Sequence, residues 1–291
     1  MANNESAIVL GFPRWTPKVA FSAPDGAAVD AEYPPPNLGS LPLAQVWRTP
    51  DLAPVNTRVM GVLDKPRAMR LLGLCNHNFS LTARYRLRLY LSTVLTGTPV
   101  YDSGWAAVWP PVYPYSTLEW EDDNYWSGGY SKEEIAGYRW TRPLWLPHPY
   151  VARSFLMELD DPNNDDGYLQ CGLFEVSQGW QASVSINQGA QLGFRFRSPS
   201  TEAIGGNKDF ERRDKPRVLK GEIGLIDHNE AMAKAFEHQR QMDEDVPFLV
   251  VLDPTTLSLR ECFLARNVQP GLISLASGSA DRIPVSFEEV M

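Results

Sequence analysis

"RSFLMELDDPNNDDGYLQCGLFEV" (153–176) sets two apolar runs on either side of a cluster of Asn, Asp, Pro and Gly. Those residues tolerate the left-handed backbone of tight turns, so the stretch predicts a β-hairpin and, with it, a mainly β chain. Upstream, "MRLLGLCNHNFSL" (69–81) reads as a buried strand ending in an Asn-His-Asn turn. The next run, "ARYRLRLYLS" (83–92), places Tyr85, Leu87, Leu89 and Leu91 on one face and Arg84, Arg86, Arg88 and Tyr90 on the other, the pattern of a half-buried strand.

Working outward, residues 1–24 hold two short apolar runs, "AIVLGF" and "KVAFSA", and read as an N-terminal strand segment. Residues 25–180 carry the alternating runs, opened by "YPPPNLGSLPLAQVWRT" (33–49), whose consecutive prolines exclude a helix. From 181 to 291 a polar stretch leads to a strand, "RVLKGEIGLI", then to the one long helical pattern, "DHNEAMAKAFEHQRQM" (227–242). An Asp or Asn cap starts that helix, with Ala231, Ala235, Phe236 and Met242 toward one side. The strands "PFLVVLD", "LRECFLARNV" and "RIPVSFEEV" follow, giving a small α+β domain with one covering helix.

A formal charge of −8 and a pI near 5.1 oppose phosphate-backbone binding, so no nucleic acid is expected as a partner. No apolar run approaches the roughly 20 residues that span a bilayer, and "MANNESAIVLGFPRW" lacks the form of a signal peptide, so no membrane insertion is expected and the chain reads as cytoplasmic when made. Cys75, Cys171 and Cys262 are odd in number and sit in apolar contexts, the pattern of buried thiols. His77, His148, His228 and His238 show no ligand spacing. "DDPNNDDG" (160–167) gathers oxygen ligands, but counting from Asp161 a calcium loop of the EF-hand kind would have Asp166 where it needs Gly and Gly172 where it needs Glu. A solvated turn is the expectation, with no metal and no cofactor. Glu119, Glu121, Asp122 and Asp123 beside Trp120 and Trp126 raise a glycosidase pair only weakly, and neither a nucleophile elbow nor a phosphate loop occurs. No catalytic residue is assigned, and the chain is not expected to be an enzyme.

The densest aromatic stretch is "PVYDSGWAAVWPPVYPYSTLEWEDDNYW" (99–126), and residues 101–150 as a whole hold six Trp and seven Tyr. Trp105, Trp109, Tyr113, Tyr115, Trp120 and Trp126 are the candidate interface or glycan-binding residues. Three readings are open: a loop packed on itself or its scaffold, a protein interface, and a carbohydrate platform. Downstream, Ser131 with Glu134 has capping-box spacing.

Taken in order, "YPPPNLGSLPLAQVWRT", "RLLGLCNHNFSLTARYRLRLY", "DSGW" and "FLMELDDPNNDDGYLQCGLFEV" resemble the galactose-binding-like, or discoidin-type, jelly roll over roughly residues 30–180. That resemblance implies a jelly-roll β-sandwich. "LCNHNFSL", "YDSGW…WPPVYP…LEWEDDNYW" and "DDPNNDDGYLQCG", joined to a C-terminal domain ending in "EEV", also resemble virion structural proteins of tailed bacteriophages, at the tail tip or baseplate. This second resemblance implies a non-catalytic structural protein and homo-oligomer, located in the virion and assembled in the host cytoplasm, whose partners are other virion tail proteins. The alternative is a carbohydrate-binding module that recognises a bacterial surface glycan.

Overall fold

The structure, a computed structural model, describes residues 6–122, 124–187, 189–202, 204–269, 271–275 and 280–291. In chain order the first elements are β1 (Val9–Leu10), β2 (Val19–Ser22), β3 (Trp47–Arg48), β4 (Arg58–His77), β5 (Arg84–Tyr90), β6 (Tyr101–Asp102) and β7 (Ala106–Ala107). A one-turn helix, α1 (Lys132–Ile135), precedes β8 (Thr141–Asp160) and β9 (Gln170–Ser177). The later strands are β10 (Trp180–Gln181), β11 (Gln191–Phe194), β12 (Ser200–Glu202), β13 (Lys208–Phe210), β14 (Arg217–Ile226), β15 (Phe248–Val251), β16 (Cys262–Asn267) and β17 (Asp281–Glu289). Two units result. One takes 9–180 with 249–263, and the other 6–8, 181–248 and 264–291. The short segment 249–263 thus joins the earlier part of the chain across the expected boundary at 180.

The larger unit is organised by β4 and β8, which pair antiparallel from Arg58↔Glu158 to Cys75↔Thr141. Their register breaks between Val62 and Arg67 and between Met69 and Leu71. Pro66 sits in the first break on β4, and Pro147 and Pro149 sit opposite the second on β8. A proline cannot donate to the ladder, so it concentrates where pairing lapses and the strand bends. The sheet order is β3-β9-β4-β8-β5-β6, with β2 also paired to β4 and β7 to β5. Each long strand therefore has different neighbours in its two halves. Phe21 of β2 packs edge-on against Phe155 of β8 and Phe174 of β9, at 6.1 and 6.0 Å, while Phe155 and Phe174 stack at 5.1 Å. Their rings form the centre of the apolar core.

The expected hairpin over 153–176 is not one. β8 and β9 do not pair with each other, because β4 lies between them. The Asn- and Asp-rich connection is a crossing loop, held by side chains: Asp161 accepts the Ser80 N–H at 2.8 Å and the Asn164 amide at 3.1 Å. Asn78 donates to Asp166 at 2.8 Å and accepts the Gln170 N–H at 2.8 Å. Arg48 of edge strand β3 lies between the rings of Tyr33 and Tyr168, 4.2 and 4.1 Å from their centroids, which fastens the loop's far end. The loop's buried carboxylate, Asp161, thus faces protein donors as a turn requires.

β5 has the expected alternation as far as Leu89, but Tyr90, expected on the polar face, is buried. Tyr85, Leu87 and Leu89 are buried, while Arg84, Arg86 and Arg88 face out and pair with Asp160, Asp102 and Glu158. Leu91 lies beyond the strand's end and is exposed. Cys75, Cys171 and Cys262 are buried, and burial pushes the Cys171 thiol up to about 12.

In the smaller unit β17 lies between β14 and β16, and β11 extends β14. Near the end of β17, Glu289 takes the Arg217 Nε–H at 2.9 Å and the Arg217 backbone N–H at 3.0 Å, a buried pair. The helical stretch runs from α2 (His228–Glu230) through a π-helical segment (Ala231–Phe236) into α3 (Glu237–Gln241), capped by the Asp227 carboxylate on the N–H groups of Asn229 and Glu230. Ala231, Ala235, His238 and Met242 are its buried residues, and Phe236 turns outward instead of joining them. The wider turn of the π segment offsets the simple helical spacing.

Gly61 has no room for a side chain, since an added Cβ would lie 2.2 Å from the Phe155 ring. Gly61→Ala is expected to cost about 1–3 kcal/mol through overpacking. Urea unfolding of the two proteins checks this, and an unchanged midpoint would contradict the packing described.

Candidate functional site

The aromatic stretch between β7 and β8 divides into rings that hold it and rings that it displays. Trp109 is 8% exposed. Its indole N–H donates to the Phe79 carbonyl at 3.3 Å, and its ring meets Trp140 and His77 edge-on at 5.5 Å each. Tyr130, also buried, meets Trp109 edge-on at 6.3 Å, and its hydroxyl accepts the Leu259 N–H at 3.0 Å. Such edge-on pairs are favoured by the ring quadrupole, so each anchor supports the next.

Tyr113 is half-buried and donates its hydroxyl proton to Glu134, while Arg260 donates to the Tyr113 hydroxyl at 2.7 Å and to Glu134 at 3.1 Å. Glu134 has its own place fixed by the capping box of α1: its carboxylate accepts the Ser131 N–H at 2.9 Å, and the Ser131 hydroxyl accepts the Glu134 N–H at 3.3 Å. Backbone bonds from Val112 and Tyr113 to the Gly128 carbonyl, at 2.8 and 2.9 Å, close the loop. Gly128 adopts φ +60°, which glycine takes without penalty. The Asn124 amide then donates to the Gly129 carbonyl at 2.7 Å.

The loop so closed displays Trp120 and Trp126, 75% and 83% exposed, with Glu119, Glu121 and Asp122 exposed around them. Tyr125 is packed edge-on to Trp126 at 5.3 Å. Trp105, 47% exposed, lies nearer the sheet with the Arg84 guanidinium 5.8 Å from its ring. Tyr115 begins a 3₁₀ turn, and its side chain and Asp123 lie outside the described residues. Of the six candidates, then, Trp109 and Tyr113 are anchors, and Trp105, Trp120 and Trp126 face solvent. Trp109 is therefore not a surface residue, because the apolar cost of exposing the indole is avoided by sinking it among Phe79, Trp140 and Tyr130.

Sequence reasoning did not bring His77 and Arg142 together. Both are buried and line a small cavity with Trp109 and Tyr130. The signal present in the sequence was a lone arginine in the otherwise apolar run "TRPLWL" (141–146). Among the described residues, no group of three or more His, Cys, Asp or Glu is placed to hold a metal ion, and no helix is long and apolar enough to cross a membrane.

No protein-family model matches the chain, and no curated protein does so. Solved structures do. The family 32 carbohydrate-binding module from Clostridium perfringens NanJ, solved in complex with galactose, is 11% identical, covers 58% of this chain and 98% of its own, and has a TM-score of 0.37. The family 32 module from Streptococcus pneumoniae EndoD is 8% identical, with coverage of 57% and 99% and a TM-score of 0.36. A GH29 fucosidase from Ruminococcus gnavus, in complex with fucose, is 11% identical with a TM-score of 0.33, and the match spans 56% of this chain and 26% of that enzyme.

Among the described residues the chain is mainly β, with a small helical region at 228–241. The virion expectation is corrected by these likenesses. The likenesses are to carbohydrate-binding modules, so the tail-tip or baseplate assignment, the structural-assembly role, the partnership with other virion tail proteins as a homo-oligomer, and the location in a virion are all set aside.

Trp109→Ala is expected to destabilise the protein by about 3–5 kcal/mol, the range for deleting a buried large aromatic ring. Trp126→Ala should stay within about 0.5 kcal/mol of the parent, as exposed substitutions do. Denaturant unfolding of both variants reads the contrast, and equal losses would contradict the division into anchors and displayed rings.

Proposed function

We propose that this chain is a non-catalytic carbohydrate-binding module whose glycan platform is formed by Trp120 and Trp126. The observation that carries the reading is the exposure of two tryptophans on one loop whose ends are anchored. Isolated apolar residues at a surface are ordinary, but an indole leaves a large apolar face in water and is among the most effective binding groups when that face is covered. A pyranose has one face of C–H groups and a rim of hydroxyls. The indole faces suit the first, and the carboxylates of Glu119, Glu121 and Asp122 accept hydrogen bonds from the second.

Charge narrows the class of sugar. Three exposed carboxylates on a chain with a formal charge of −8 repel uronates and other acidic sugars. Neutral and amino sugars are the favoured ligands. The hydrogen bonds that close the loop at Gly128 and Gly129 hold it ordered before binding, which reduces the entropy lost on association. The likeness to modules such as the C. perfringens module solved with GalNAc-β-1,3-galactose is consistent with this class of ligand.

Affinity electrophoresis through gels containing neutral, amino-sugar or uronate polysaccharides tests the reading. The parent protein should be retarded by a neutral or amino-sugar polymer and not by a polyuronate. Trp120→Ala combined with Trp126→Ala should lose the retardation with its melting temperature unchanged. Retardation that survives in the double variant, or none by any polymer in the parent, would overturn the platform.

A further inference from the structure

The cavity beside the buried aromatic cluster carries an inference independent of the glycan reading. It lies where β4 ends and β8 begins, lined by His77, Thr141 and Arg142 together with Trp109, Tyr130 and Leu259. Its volume is about 10 Å³, room for a single water-sized occupant. Arg142 is 8% exposed and His77 6%.

Arg142 is an unusual residue to bury here. Its Nε and Nη1 groups have no hydrogen-bond partner, and among the described residues no carboxylate pairs with it. The face of Tyr85 lies against it, with the ring centre 5.7 Å from the guanidinium. A buried charge without a counter-charge is costly unless something of opposite sign accompanies it.

His77 points to the same sign. Its Nδ1 accepts the Phe79 N–H at 3.3 Å, so in the neutral ring the proton sits on Nε2. Nε2 is buried and also lacks a partner. Burial, and after it the Arg142 charge, hold the imidazole down to about 3, which keeps it neutral. His77 and Arg142, each more than nine-tenths buried, line one small cavity, and three of their N–H groups, His77 Nε2 and Arg142 Nε and Nη1, have no acceptor.

We propose that the His77–Arg142 cavity is a binding site for one small anion, which accepts from His77 Nε2–H and the Arg142 guanidinium and neutralises the buried charge. Its chemistry is a compact negative acceptor, either a free halide or a single carboxylate group. The anion would also brace the anchor of the aromatic loop, since Trp109 and Tyr130 form the cavity's apolar walls.

Thermal unfolding of the full chain in a methanesulfonate buffer, titrated with bromide or formate at constant ionic strength, reads the site. The melting temperature should rise with one of the two anions, and the rise should be absent in Arg142→Met. Crystals grown in sodium bromide supply a second reading that does not depend on the variant's folding, because bound bromide gives an anomalous peak at the site. A response to bromide with that peak identifies a halide site. A response to formate alone, with formate density against Arg142, identifies a carboxylate site. Equal responses in parent and Arg142→Met, no response to either anion, or a cavity holding only water would overturn the proposal.

Discussion

Burial of the Trp109 indole is the constraint on which the rest of the site depends. The loop between β7 and β8 is too long to hold a shape through backbone bonds at its ends alone, so its order has to come from side chains sunk into a scaffold. Trp109 provides this against Phe79, Trp140 and His77, and Tyr130 repeats it through Leu259. With both flanks fixed, the intervening turn can carry two exposed indoles without collapsing onto the core. The same burial creates the wall of the cavity that holds His77 and Arg142. Rigidity, display and the buried polar pair are thus three consequences of one packing arrangement.

The scaffold meets this demand through its two long strands. β4 and β8 pair with each other on both sides of the proline-marked breaks, while their other neighbours change along their length: β4 pairs with β2 near its start and with β9 near its end, and β8 pairs with β5 over 154–160. The stacked Phe155 and Phe174 rings, with Phe21 against both, fill the centre of the core. The end of β4 and the start of β8 then arrive side by side, at Cys75↔Thr141 and Leu74↔Arg142. The loop's anchors sink in at that end.

Much of this is legible in the sequence, but only where the signal is local. The alternation of Arg84, Arg86 and Arg88 with Tyr85, Leu87 and Leu89 identifies β5 because one side of that strand meets water and the other the core. The Ser131–Glu134 capping box is equally readable, since both bonds fall within four residues. The 153–176 stretch shows the limit. Its Asn, Asp and Gly residues report a change of chain direction correctly, yet turn chemistry says nothing about which strand lies next to which, and β4 separates the two runs. The aromatic loop fails in a similar way. Composition marks it as unusual, but without a period nothing distinguishes Trp109, which sinks, from Trp120 and Trp126, which do not. The partner of Tyr113 and Glu134 is Arg260, more than a hundred residues away in sequence, and no local pattern could supply it.

In the proposed function Trp120 and Trp126 form the working surface, and Trp109 holds the loop in place. Indole N–H resonances in a two-dimensional nitrogen–proton spectrum report each of the nine tryptophans separately. On titration with a neutral or amino-sugar oligosaccharide that the protein retains, the signals of Trp120 and Trp126 should shift progressively, and those of Trp109 and Trp140 should stay in place. Shifts confined to the buried indoles, or a spectrum unchanged at saturating sugar, would contradict the account.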